Sequence, residues 1–89
     1  MLGTNVWAGG YELDLVLRRG RRLVFCEVKA KSGRGYGDPL EMIGPEKLRR
    51  LLRAADVWLA GRRDCRGLEV RYEAVAIRAG KLQRVPLVP

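Results

Sequence analysis

Histidine is absent from the 89 residues, and that absence removes more chemistry than any other feature of the composition. Without an imidazole there is no Ser–His or Cys–His nucleophile pair and no His general base. Cysteine is nearly absent too: Cys26 and Cys65 are the only two, in no C-x-x-C spacing, so with no His beside them they offer no zinc set. Both are expected to be reduced thiols. No apolar run approaches the roughly 18 residues that a bilayer-spanning helix needs. The first residues lack the basic-then-apolar pattern of a secretory signal, so the chain is expected to be cytoplasmic. Acidic residues are in deficit, 10 against 18 basic, which leaves a net charge of +8 and a pI near 10.3. Lysine is scarce within that excess, 4 against 14 Arg, and guanidinium groups favour bidentate phosphate contacts. The balance suggests a polyanionic partner, nucleic acid first. An Arg-rich genome would give the same numbers without any such partner.

What is present suffices for one small folded domain over residues 1–89. Hydrophobic residues make up 47% of the chain, ordinary for a globular core. A core this small gives modest stability, so a homodimer or a bound partner would help.

The stretch YELDLVLR (11–18) alternates apolar and polar residues and predicts a strand, as does RLVFCEVKA (22–30) after the RRGRR turn. KSGRGYGDP (31–39) predicts a loop. GPEKLRRLLRAADVWLAG predicts a helix with Pro45 in its first turn and Gly61 just past its end. Leu48, Leu51, Leu52, Ala55, Trp58 and Leu59 would share its apolar face, with Lys47, Arg49, Arg50 and Arg53 mostly opposite. LEVRYEAVAIR and KLQRVPLV, on either side of Ala79-Gly80, predict two more strands. The expected order is ββαββ: an α/β mixed sheet with one amphipathic helix packed across it.

The first hairpin carries the chemical question. With Gly20-Arg21 as a two-residue II′ turn, Arg19 faces Arg22 and the register of both strands follows. Leu17, Leu15 and Leu13 would then pair with Val24, Cys26 and Val28 on a wholly apolar face, expected to be the core. The other face would pair Val16 with Phe25, Asp14 with Glu27 and Glu12 with Lys29. Two carboxylates opposed across a ladder repel each other, with Cβ atoms about 5 Å apart. A divalent cation such as Mg²⁺ resolves that repulsion with hard oxygen ligands, and Lys29 on the same face could touch a phosphate or an attacking water. The residues alone leave a second reading open, in which Glu12–Lys29 is a plain salt bridge and nearby Arg residues neutralise Asp14 and Glu27.

GYELDLVLRRGRRLVFCEVKAKS and YGDPLEMIGPEKLRRLLRAADVWLA together resemble the YraN-like family of small bacterial proteins. That family carries a G-E-I-D-L-I strand, then F-V-E-V-K, a G-x-P loop and a K-x-x-x-L-x-x-A-A-x-x-W/Y-L helix. The family in turn resembles the PD-(D/E)XK nuclease fold of restriction endonucleases and Holliday-junction resolvases. The resemblance spans about Asn5 to Ile77. It implies a restriction endonuclease-like domain that cuts DNA with Mg²⁺ or Mn²⁺, on branched or flapped structures among others. By the same resemblance Asp14 and Glu27 would hold the metal, Glu12 would be an additional metal group or support one, and Lys29 would be the catalytic lysine. Lys47 would match a family lysine near the site, or be a solvated helix-end charge. Family members begin with a helix that precedes MLGTNVW here, and the sheet face it would cover is where a homodimer contact is expected. The family strand carries Asp where Glu73 stands, a residue expected to be structural or to support the site.

Phosphate contacts are expected along the helix from Lys47, Arg49, Arg50 and Arg53, and from Lys31 and Arg34 in and beside the loop. Trp58 is expected in the core; Trp7 and Tyr36 are the candidates for base stacking. Three functions fit: a metal-dependent nuclease, a non-catalytic nucleic-acid-binding module of the same fold, or a basic domain that docks a protein or RNA.

Overall fold

The computed structural model describes residues 1–31, 44–78 and 80–87. They form a five-stranded mixed sheet in the order β1-β2-β3-β4-β5, with one helix packed on one face. The strands are β1 (Gly3–Ala8), β2 (Tyr11–Arg19), β3 (Arg22–Lys31), β4 (Glu69–Arg78) and β5 (Lys81–Pro86). The helix α1 (Pro45–Ala60) and a 3₁₀ turn (Arg63–Cys65) lie between β3 and β4.

Three strands precede the helix, not the two of the expected ββαββ order, because GTNVWA adds an antiparallel edge to β2. Its burial follows no clean alternation, and Asn5 sits at φ 50 in its middle, so the segment lacks a strand's period-2 signature. Gly9 and Gly10, both at positive φ, close the β1–β2 hairpin between Ala8 and Tyr11; a two-residue turn with both φ angles positive is type I′. The β2–β3 hairpin has the expected register from Arg19↔Arg22 to Leu15↔Cys26, with Gly20 at φ 61. β3 and β4 run parallel, because α1 returns the chain to the same end of the sheet.

The core is not where the hairpin pattern places it. Leu13, Val16, Leu23 and Phe25 pack with Leu51, Ala54, Ala55 and Cys65 in the main cluster, under α1. Phe25 is fully buried, stacked on Tyr72 (centroids 5.8 Å) and edge-on to Trp58 (5.7 Å). Leu15, Leu17 and Val28 instead pack, partly exposed, with Val24, Cys26 and Val75 in a thinner cluster on the opposite face. Leu13 and Val16 cannot share a face in an uninterrupted pleat. The pleat inverts between them, where β1 and β2 skip the pair that would join Asn5 to Asp14 and where Asn5 adopts a left-handed conformation. This inversion separates Leu13 from Leu15 and Leu17.

Pro45 opens α1 with its ring in the first turn, and Leu51, Ala54 and Ala55 are the residues it buries. Gly61 stands at its end as expected, at φ −92 and so without the left-handed turn that often follows a helix.

Candidate metal and phosphate site

Along β3 the helix-facing positions run Leu23, Phe25, Glu27, Lys29: two core residues, then two charges. Glu27 is the only buried charged residue among those described, 5% exposed. Burying a carboxylate requires partners. It has two: Lys29 Nζ stands 3.1 Å from Oε1, and the Tyr11 hydroxyl donates to Oε2 at 3.1 Å. Tyr11 reaches Glu27 because it shares the helix-facing side of β2 with Leu13.

Asp14 is not paired across the ladder with Glu27. The β2–β3 pairs end at Leu15↔Cys26, and beyond them Asp14 Oδ2 accepts the Val28 backbone N–H at 2.9 Å. The side chain thus replaces a strand carbonyl as acceptor, which lets the two strands part while the Val28 amide stays satisfied. The expected pairs Asp14–Glu27, Leu13–Val28 and Glu12–Lys29 are therefore absent from the ladder. Asp14 nevertheless stays within electrostatic reach of the group, its charge acting with that of Glu27 on Tyr11, Lys29 and Lys47.

Electrostatics bind the group together. Burial, then the charge and hydrogen bond of Glu27, then Asp14, push the Tyr11 hydroxyl up to about 12. Burial alone would lower the Lys29 ammonium, but its hydrogen bond with Lys47 and the two carboxylates hold it above the ordinary lysine value. Lys47, in the first turn of α1, moves the opposite way: sharing with Lys29 lowers it. The two neighbouring amines are thus shifted in opposite directions, Lys29 up and Lys47 down.

Glu12 is not gathered into this group. It pairs with Trp7 and lies on the side of β2 opposite Tyr11 and Leu13. Among the described residues no three Asp, Glu, His or Cys side chains come together. The hard-oxygen set is thus two carboxylates, the number with which Mg²⁺ binds when substrate phosphate and water complete its shell. Every buried side-chain nitrogen and oxygen among the described residues has a partner, so Asp14 and Glu27 are satisfied as they stand.

Arg50 is tied to Glu46 at 2.8 Å yet close enough for its charge to act on Tyr11, while Arg49 and Arg53 are exposed on the outer side of α1. Lys31 closes β3, its side chain outside the described residues; Arg34, Tyr36 and the Asp38-Pro39 turn lie outside them altogether. Trp58 packs on the core as expected, with the Arg62 guanidinium 4.6 Å over its ring. Trp7 is 70% exposed on β1. Glu73 is on the opposite face of the sheet, bound by Arg84 at 2.7 Å. Sequence reasoning missed Tyr11, because unbroken alternation puts it with Leu13 on the face away from Glu27; only the inversion of the pleat brings it there.

The profile of the uncharacterised protein family UPF0102 matches residues 1–77. The chain belongs to that family, the YraN-like family of the sequence resemblance. It is 44% identical over 70 residues to a UPF0102 protein of Maricaulis maris, covering 79% of this chain and 54% of that protein. A UPF0102 protein of Syntrophotalea carbinolica is 42% identical over 78 residues, 88% of this chain and 63% of its own length. One from Beutenbergia cavernae is 49% identical over 72 residues, 78% of this chain and 60% of its own. The chain spans between half and two thirds of these relatives. Among the described residues no helix is long and apolar enough to cross a membrane.

Proposed function

We propose that this UPF0102 chain is a Mg²⁺- or Mn²⁺-dependent phosphodiester hydrolase acting on DNA. The observation that supports the reading is the buried Glu27–Lys29 pair at the end of the core, with Asp14 on the neighbouring Val28 amide and the charge of Lys47, in the first turn of α1, acting on the pair. Asp14 and Glu27 would hold the cation, which when bound supplies Lewis-acid neutralisation of the phosphate and an acidified water. Lys29, held protonated, lays its ammonium against a non-bridging phosphate oxygen and offsets the charge that builds up as water attacks phosphorus. The attacking water's proton would pass to solvent as the P–O bond to the leaving oxygen breaks, and Lys47 would add a second positive charge beside Lys29. Tyr11 holds Glu27 Oε2 and so fixes the direction of the other oxygen. Arg49, Arg50 and Arg53 would steady the backbone beyond the scissile phosphate.

A second reading has a specific observation behind it. The two carboxylates are already satisfied by the Val28 amide, Lys29 and Tyr11, as a nucleic-acid-binding module without turnover would have them. One experiment separates the two. Labelled single-stranded, duplex, flapped and four-way-junction DNA are incubated with Mg²⁺ or Mn²⁺, beside EDTA and Glu27→Gln controls. Cutting that both controls abolish supports the hydrolase. Binding without cutting in every arm leaves the binding module.

A further inference from the structure

The end of the sheet opposite Lys29 carries most of the chain's positive surplus, and the candidate site uses none of it. Four arginines, Arg18, Arg19, Arg21 and Arg22, flank the β2–β3 turn. The 3₁₀ segment between α1 and β4 brings Arg62, Arg63 and Arg66, and β4 adds Arg71. The two segments meet: the Glu69 amide donates to the Arg21 carbonyl at 2.8 Å, and Arg18 donates to the Asp64 carbonyl at 3.4 Å. Eight arginines thus face two acids, Asp64 and Glu69, a surplus of six in a chain whose net charge is +8.

The acids are spoken for. Arg62 binds both oxygens of Asp64, at 2.9 and 2.8 Å, and holds that carboxyl down at about 2. Glu69 is shared between Arg71 and Arg22. The side chains of Arg19, Arg21, Arg63 and Arg66, all exposed, have no hydrogen-bond or ion-pair partner among the described residues. Beside them Arg19, Arg22, Arg71 and Arg84 line a cleft of about 460 Å³, whose one carboxylate, Glu73, is already held by Arg84. Among the described residues that line the cleft, only Arg19 lacks a carboxylate partner; with Arg21, Arg63 and Arg66 outside the cleft, it makes four guanidinium groups suited to the planar oxygens of phosphate.

We propose that this arginine pole is a second, metal-independent phosphate-binding surface that grips the nucleic-acid backbone away from the carboxylates. The identity of the partner rests on the hydrolase reading; the binding does not need the cation. Seven residues of β3 separate Arg22 from Lys29, roughly 23 Å at about 3.3 Å per residue. Seven is odd, so Arg22 and Lys29 leave the pleat on opposite faces, and the pole would hold a stretch of backbone distinct from the one at Lys29.

The test is anisotropy of a labelled 20-base-pair duplex in EDTA between 50 and 200 mM salt. The wild type is compared with Arg19→Ala/Arg21→Ala/Arg63→Ala, which removes no described hydrogen bond or ion pair, and with Glu27→Gln. Each phosphate left without its arginine lowers the slope of log K against log salt by about 0.9. The triple variant should be shallower by two to three and bind at least tenfold more weakly at 50 mM, while Glu27→Gln keeps the wild-type slope. Arg21→Ala/Arg66→Ala, with the circular dichroism of the wild type, gives an independent reading and should be shallower by one to two. An unchanged slope in both folded variants overturns the pole, even if DNA is cut. A slope that falls as expected in a protein that never cuts supports the pole and removes the hydrolase reading alone.

Discussion

Replacing Lys29 by Met tests whether the Glu27 carboxylate depends on its neighbour as the geometry requires. The pair lies between the two familiar limits. Its N–O distance is 3.1 Å, with the Glu27 side chain 7% and the Lys29 side chain 21% exposed. Solvent-exposed pairs contribute about 0–1 kcal/mol, whereas stripping one partner from a buried pair costs about 3–5 kcal/mol. Met keeps most of the stem's apolar packing, and Tyr11 still donates to Glu27. Lys29→Met should therefore cost about 2–3 kcal/mol, out of about 4–13 kcal/mol for a chain of this length. In urea, with a slope of about 1–3 kcal/mol/M, the midpoint falls by roughly 1–2 M. Lys29→Met/Glu27→Gln removes the stranded charge as well and should recover at least half of the stability. If Asp14 and Glu27 hold a divalent cation, Mn²⁺ replaces the missing ammonium and restores Lys29→Met but not the double variant. A Lys29→Met cost under about 0.5 kcal/mol, or single-variant costs that simply add, would refute the argument that Glu27 is a buried charge held by Lys29.

Tyr11 gives a pH-dependent prediction: a hydroxyl raised from about 10 to about 12 by folding contributes stability that is whole below pH 10 and fades as pH rises through 12. Absorbance at 295 nm should show one tyrosine ionising near 12 in the native protein, and Tyr11→Phe should remove that step. Phe25→Ala, which empties the space between Trp58 and Tyr72, should cost about 3–5 kcal/mol and lower Tm by well over 10 °C in a calorimetric scan. Asn5→Ala puts at φ 50 a residue that tolerates the left-handed region less well than Asn and should cost about 1 kcal/mol by urea titration, whereas Asn5→Gly should be close to neutral.

The hairpin register was legible because two local signals agreed, Gly20 at a turn position and an alternating apolar set on each strand. The helix was legible for the same reason, with Pro45 and the spacing of Leu48, Leu51 and Ala55 in accord. β1 was not, because an edge strand with one glycine, a left-handed Asn and an exposed Trp7 follows no period. The core face was misread by a rule that holds only while the pleat is unbroken. Counting Leu13 with Leu15 and Leu17 assumes alternation through Asp14, the position where the pleat inverts. The same break explains the site. Asp14, Glu27 and Lys29 could be named from the sequence, but the Asp14–Val28 hydrogen bond that admits the aspartate belongs to the break and not to the ladder.

The helix links the two charged ends. α1 is 16 residues, about 24 Å at 1.5 Å per residue, close to the separation of Arg22 and Lys29 along β3. Its first turn brings Lys47 to Lys29, and its last turn leads through Arg62 into the arginine pole. The carboxylates thus stand by the positive end of the helix dipole and the unpaired guanidinium groups by the negative end, the favourable placement for each. On the proposed reading this arrangement would also divide the work on a polyanion. The pole can attract phosphate with no acid left to repel it, while approach to Asp14 and Glu27 carries a repulsion that a divalent cation offsets. Binding should therefore persist when the cation is removed, and only the chemistry at Lys29 should depend on it.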